Sequence, residues 1–218
     1  MEVDHIFICV NDDGQGADAL KALGLAEGTP NVHPGQGTAN RRFFWRNSFI
    51  ELLHLTDELE AQSPLTVPTQ LFDRLTCTDG LASPFGICFR PSSVDEKPLF
   101  PVWEYRPVYL PAALKVDVGH APISEPMWFF LSFAKRPDEA PAERAQPFEH
   151  PNGFREMTSL RVITPDHHAF STAATCANQL KEFEIVQGDE HLLLLEIDHG
   201  ASGQAHDFRP GLPMIVNW

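Results

Sequence analysis

Two short apolar runs each carry a residue capable of chemistry. His5 sits in Val3-Asp4-His5-Ile6-Phe7-Ile8-Cys9-Val10, and Glu51 sits in Phe49-Ile50-Glu51-Leu52-Leu53. Both runs read as covered strands, where an imidazole or a carboxylate costs free energy unless something inside uses it. A histidine beside a carboxylate can accept a proton while the acid orients its ring. Arg42 is the expected partner of Glu51. It would hold the acid ionised, either as part of a site or as a structural ion pair that needs no ligand. Asn40 and Arg42 are expected to orient a ligand oxygen, and His33 to lie at the rim. Asn40 and Thr38 have an equally good structural reading, satisfying loop backbone beside Gly37.

These residues are positioned by a strand, a helix and a hairpin. The helix is expected from about Gly14, with N-cap oxygens on offer from Asn11, Asp12 and Asp13. Ala17, Leu20 and Leu23 give it an apolar stripe, and Gly24 is its C-cap. A poorly patterned strand falls somewhere in 25–33, followed by strands 40–46 and 49–55. A two-residue loop at Asn47-Ser48 would put Asn40, Arg42, Phe44, Glu51 and Leu53 on one face, with Arg42 diagonal to Glu51. His54 falls on the other face. The unit is βαβββ.

The order then repeats. A connector over 56–82 holds a helix near Gln70 to Cys77. A second unit runs from Phe85 through a short helix at Ser92 to Leu99, then strands at 103–110, 114–118 and 127–133. The domain plan is therefore 1–134 for two units, 135–157 for a linker, and 158–218 for a third, partial βαβββ-like unit. In the third unit Thr164 and Pro165 are expected to open a helix that runs to about Leu180. Strands at 183–186, 191–197 and 214–218 follow. The fold class is α+β: repeated units forming a curved mixed sheet around a cavity, with helices outside.

Asp4-His5-Ile6, His33-Pro34, Gly37-Thr38-Ala39-Asn40 and Ile50-Glu51-Leu52-Leu53 resemble the motif series of glyoxalase-like domains in the vicinal oxygen chelate superfamily. His150-Pro151-Asn152-Gly153 is similar to a sequence found after the second unit of such proteins. The resemblance implies two units paired edge to edge and a divalent metal in the cavity of catalytic members. Its protein ligands would come from the first and last strands of each unit, which makes His5 and Glu51 the ligands of the first half. The second half departs from the pattern. Phe85 or Gly86 stands near the first-strand position, and 128–133 holds no His, Glu or Asp. No tightly bound cofactor is therefore expected.

Two functions stay open. One is lyase- or isomerase-type chemistry, or dioxygenase-type cleavage, on a small oxygenated substrate, with His5 and Glu51 as catalytic pair. The other is non-catalytic binding or sequestration of a small molecule. The chain has no GxGxxG, P-loop, GxSxG or HExxH pattern. Its net charge of −14 argues against nucleic acid and anionic membrane surfaces. With 43% hydrophobic and 21% charged residues it reads as globular. Cys9, Cys77, Cys88 and Cys176 have no metal or disulfide spacing, and no leader or spanning run is evident, so the expected location is cytoplasmic. His167 and His168 are adjacent, which makes joint metal binding on a helix unlikely geometry. The apolar run Leu192 to Leu195 demands cover on both faces, and the expected answer is a homodimer with the third unit at its interface.

Overall fold

The computed structural model describes residues 1–11, 14–165 and 168–218. Asp12, Asp13 and His167, named above as capping and paired residues, lie outside them. The first unit is β1 (Glu2–Cys9), α1 (Gln15–Leu23), β2 (Asn31–His33), β3 (Thr38–Phe44) and β4 (Phe49–Leu55). Two short helices, α2 (Glu58–Ala61) and α3 (Leu71–Thr76), lead to the second unit: β5 (Phe85–Arg90), β6 (Val102–Tyr105), β7 (Val116–Gly119) and β8 (Met127–Phe130). The third segment holds β9 (Met157–Thr164), α4 (Thr172–Ala177), β10 (Phe183–Gln187), β11 (Leu192–Ile197), β12 (Ala205–Asp207) and β13 (Met214–Asn217).

The two units share one eight-stranded sheet in the order β2-β3-β4-β1-β5-β8-β7-β6. Within each unit the first strand pairs parallel with the last, β1 with β4 and β5 with β8. The units meet through antiparallel β1 and β5. This is the expected α+β fold of paired units. Alternation along the strands sorts the side chains into two layers. Ile6, Ile8, Ile50, Ile87, Phe89 and Trp128 belong to the outer core, with Leu20 of α1. Phe7, Leu53, Cys88, Tyr105, Met127 and Phe129 line the inner side, where Leu71 of α3 joins them.

The hairpin keeps its expected faces but not its expected register. Arg42 lies directly opposite Glu51, and Phe44 opposite Phe49. The loop spans four residues instead of two, closed by Trp45 N–H donating to Ser48 O at 2.8 Å. Asn47 explains the extra length. Its side chain accepts from Met157 N–H (3.0 Å) and donates to Met157 O (2.7 Å), tying the loop to β9. A shift of two residues leaves side-chain parity intact.

Other expectations fail for local reasons. Residues 92–99 form no helix. Asp95 sits at φ 60°, and the Glu96 carboxylate accepts from Ser92 N–H at 2.6 Å in a turn. Pro98 follows, and proline also disfavours helix in the residue before it. Thr164 ends β9 and donates its hydroxyl to Ser124 O at 2.8 Å. The cap of α4 is Ser171, which accepts from Ala174 N–H at 3.2 Å. Its helix is correspondingly short.

The third segment makes its own five-stranded sheet, β10-β9-β11-β13-β12. Its first strand lies between β10 and β11, not beside the last strand, so the pairing of the first two units is not repeated. This sheet packs on the outer layer of the large one, and both share a single core. Phe183 places its ring edge-on to Trp128 at 5.7 Å and to Phe89 at 6.1 Å. Leu192, Leu193 and Leu195 are buried within the same chain. The exposed face that argued for a dimer is thus covered internally. Among the described residues, no helix is long and apolar enough to cross a membrane.

The 150–153 motif is a staple. His150 Nδ1 accepts from Ala26 N–H (3.0 Å), and Nε2–H donates to Phe44 O (2.8 Å), fixing a neutral ring. Asn152 donates to Leu23 O at 3.0 Å, beside the C-cap of α1. Burial holds His150 below its ordinary value, with the Phe44 carbonyl and Glu149 pulling the other way. The unfolded chain therefore takes up a proton, near pH ~6.5, that the folded chain resists. The stability gained from a neutral His150 is complete above that value and declines as pH falls through the folded one. We expect the melting temperature to drop between pH 7.5 and 5.5. The drop should shrink in His150→Gln, which keeps an acceptor and a donor without the titration. Equal drops in both proteins would assign the acid sensitivity elsewhere.

Candidate functional site

The concave face of the first unit carries a polar cluster, and a cavity of about 280 Å³ opens over it. His5, Arg42 and Glu51 line this cavity, with His33, Gln36, Tyr105 and Tyr109. Phe7, Leu53, Val116, Met127 and Phe129 supply the apolar wall. The polar side chains come mainly from the first unit, joined by Tyr105 and Tyr109 of the second, and the apolar wall is shared by Phe7 and Leu53 of the first unit with Val116, Met127 and Phe129 of the second.

His5 is set by its neighbours on three sides. Its ring stacks on Phe49 (centroids 4.4 Å apart) and meets Phe129 edge-on (5.4 Å). Nδ1 lies 2.7 Å from Asp4 Oδ2. A carboxylate only accepts, so the proton of this bond sits on Nδ1, and Nε2 is the nitrogen left for the cavity. Asp4 in turn takes a hydrogen bond from Arg90 Nη1 at 3.1 Å, while Arg90 Nε donates to Glu2 at 3.0 Å. All of Asp4, His5 and Arg90 are buried.

Asp4 reaches this position because β1 has a register irregularity against β5 between Val3 and His5. Regular alternation would send adjacent side chains to opposite faces. A bulge re-aims one of them, a feature common beside functional sites. Asp4 and Arg90 are the residues that the strand pattern did not single out. The adjacent Asp-His pair was visible, but the bulge that makes it a dyad was not.

Arg42 donates through Nε to Thr29 O at 2.7 Å, and its guanidinium lies over the Phe44 and Phe49 rings at 5.2 and 6.0 Å. Burial lowers its pKa, and the Glu51 charge directly across the ladder opposes that shift. His33 Nδ1 is 3.0 Å from Thr38 Oγ1, and its ring leans on Tyr109. Burial pushes His33 below its ordinary value; Glu51 works against this, while Arg42 and His5 add to it. Tyr105 and Tyr109 each donate to Gln36 Oε1 at 3.2 Å. Burial raises both phenols, so they stay protonated donors at neutral pH.

Asn40 shares the face of Arg42 and Glu51 but is no part of the cavity wall. It is 1% exposed, and its Oδ1 accepts from Asn31 N–H at 2.9 Å, clamping β2 to β3. The contact is to strand backbone, not to the loop beside Gly37. His54 pairs with Ala39 on the opposite face.

A metal can be tested against these donors. Met127 and Phe129 of β8, and Leu131 just after it, face the cavity and offer no hard ligand. Asp4, His5 and Cys88 bring one ligand atom each within 4.8 Å of one another. Yet the Asp4 oxygens are taken by His5 and Arg90. Burial, with Asp4 and Glu51 adding their negative charge, raises the Cys88 thiol well above its ordinary value, and its Sγ–H is directed at Phe89 O at 3.6 Å. The donor set does not fit the centre of the superfamily's catalytic members, whose second half is missing here.

Comparison with known proteins bears on the fold. Residues 3–97 match a family described as a glyoxalase-like domain. No curated protein matches the chain. A hypothetical protein from Staphylococcus aureus superposes with a TM-score of 0.54 at 10% identity, over 99% of this chain and 98% of its own. That likeness is one of fold, and it extends over the third segment. A hypothetical protein from Bacillus halodurans C-125 aligns with a TM-score of 0.43 at 20% identity, over 62% of this chain and 96% of that one.

Proposed function

We propose that the cavity of this chain, whose residues 3–97 match a glyoxalase-like domain family, binds a small carbonyl compound and moves a proton on the carbon beside the carbonyl. The observation that carries this reading is the Asp4–His5 pair at 2.7 Å, with His5 on the cavity wall and Arg42 on the same wall. His5 Nε2 acts as the base. Asp4 holds the tautomer and steadies the charge that appears on the ring. The C–H electron pair moves onto the carbonyl oxygen, and Arg42 stabilises the oxyanion that results. Glu51 holds the Arg42 charge in place. Reprotonation from His5 at the same carbon completes an exchange; where that carbon bears a hydroxyl, passage of the hydroxyl proton to the oxyanion and reprotonation at the former carbonyl carbon complete an isomerisation. A cavity of about 280 Å³ suits a reacting group of a few heavy atoms.

A second reading draws on the apolar half of the wall. Met127, Phe129 and Val116 hold shape but no chemistry, as a sequestering protein requires. One experiment separates the two. Hydroxyacetone in D2O is followed by NMR for exchange of its CH2OH protons, with and without protein. Catalysis predicts exchange above the buffer rate, lost by about 10²-fold or more in His5→Gln while line-broadening from binding persists. Arg42→Ala should weaken both. Binding without exchange in the unaltered protein selects sequestration, and neither effect would remove the carbonyl reading.

A further inference from the structure

Beside the cavity lies a second depression, a groove of about 710 Å³ between β3 and the segment after β8. Arg42, Phe49 and Phe133 belong to the walls of both. The cavity therefore does not end at Arg42; it continues past it.

The far wall of this groove is fixed. Asp138 N–H donates to Arg46 O at 3.1 Å, Arg136 bonds Glu156 at 3.0 Å, and Gln146 Oε1 accepts from Thr29 N–H at 3.0 Å. Gly28 permits the closest approach. A Cβ there would lie 2.6 Å from the Phe44 ring and 2.7 Å from Gln146 Oε1. The stretch expected to be a linker is thus a built wall.

Its lining is more basic than the molecule as a whole. The chain carries 30 acidic and 16 basic residues, yet Arg42, Lys135, Arg136 and Arg144 all face this groove. Arg136 is neutralised by Asp138 and Glu156. Lys135 and Arg144 have no ion-pair partner among the described residues, while Glu139 and Glu143 are the carboxylates on the same wall. A strongly acidic protein repels anions, and a local cationic rim is the arrangement that lets one approach.

We infer that the ligand is a two-part molecule: a carbonyl head in the cavity and an anionic tail in this groove, past Arg42 and held by Lys135 and Arg144. The inference rests on the carbonyl reading of the cavity and adds the tail. Phe133, 37% exposed, offers the apolar surface between the two parts.

The test compares 5-hydroxy-4-oxopentanoate, which bears a remote carboxylate, with 1-hydroxy-2-pentanone, equal in length and neutral. Binding and proton exchange are measured on the full chain. The expected ratio of kcat/KM, anion over neutral, is about tenfold or more, falling with added salt. It should drop toward one in the double variant Lys135→Glu, Arg144→Glu, whose fold is checked by its melting temperature. If the double variant were to unfold, Lys135→Gln alone should lower the ratio. A ratio near one in the unaltered protein, or one that survives charge reversal, overturns the tail and leaves the carbonyl head standing. Failure of both ketones to bind or exchange overturns the head, and the tail with it.

Discussion

Asp4→Asn is expected to cost the cavity about 10²- to 10⁴-fold of its proton-exchange rate while leaving ligand binding nearly intact. On the proposed mechanism the carboxylate does two things for His5. It accepts the Nδ1 proton at 2.7 Å, and it supplies the negative charge that favours a protonated ring during transfer. An asparagine has one acceptor oxygen and one donor nitrogen. Arg90, only a donor, competes for that oxygen at the site where it now bonds Asp4 Oδ1. The amide nitrogen then faces His5, and the ring must put its proton on Nε2. The base would be pointed the wrong way. Arg90 keeps Glu2 at 3.0 Å, so the variant does not strand a buried guanidinium, and folding should survive. Nitrogen-15 NMR of the histidine ring reads the tautomer directly. An exchange rate within about threefold of the parent, or an unchanged tautomer, would mean that Asp4 anchors Arg90 and has no part in orienting His5.

What could be read from the sequence, and what could not, follows the range of the interactions involved. Side-chain parity is local. Arg42, Glu51 and Leu53 therefore fall on the expected face, even though the hairpin register slipped by two residues. The slip itself comes from Asn47 reaching β9, more than a hundred residues away, and no local pattern carries that information. The Asp4 bulge is similar. It depends on Arg90 pairing across β1 and β5, a contact between units. Asn40 shows the limit of parity: the right face does not ensure a place on the cavity wall. The turn at 92–99 shows a capping serine outweighed by Asp95 at positive φ and the prolines around it.

The third segment carries the same lesson at larger scale. Its apolar strands were legible, and so was their need for cover. What covers them was not, because the outer face of the first sheet is assembled from β1, β4, β5 and β8 together. Glu125 marks the joint. It is buried, accepts from Trp128 Nε1 at 3.0 Å, and accepts from the Ser171 hydroxyl and N–H at 2.6 and 2.7 Å. One carboxylate thus holds β8 and the start of α4. A charge buried with this many donors is costly to strand, which commits the two sheets to each other.

That commitment predicts one cooperative unit, and Phe183→Ala measures it. Phe183 is 5% exposed and belongs to β10, yet its ring rests on Phe89 and Trp128 of the large sheet. Truncation removes the ring from the shared core and leaves a cavity between the sheets, at an expected cost of about 3–5 kcal/mol. The loss falls on both sheets if they fold together. Denaturant unfolding should stay a single transition, shifted to lower midpoint with little change in slope. In a Trp218→Phe background, which removes the tryptophan of the third segment, tryptophan fluorescence reports the large sheet through Trp103 and the buried Trp45 and Trp128. Far-ultraviolet circular dichroism reports both sheets, and the two probes should trace one curve. Two separated transitions, with the large-sheet fluorescence surviving the first, would instead show that the third segment folds as an independent layer on a self-sufficient eight-stranded sheet.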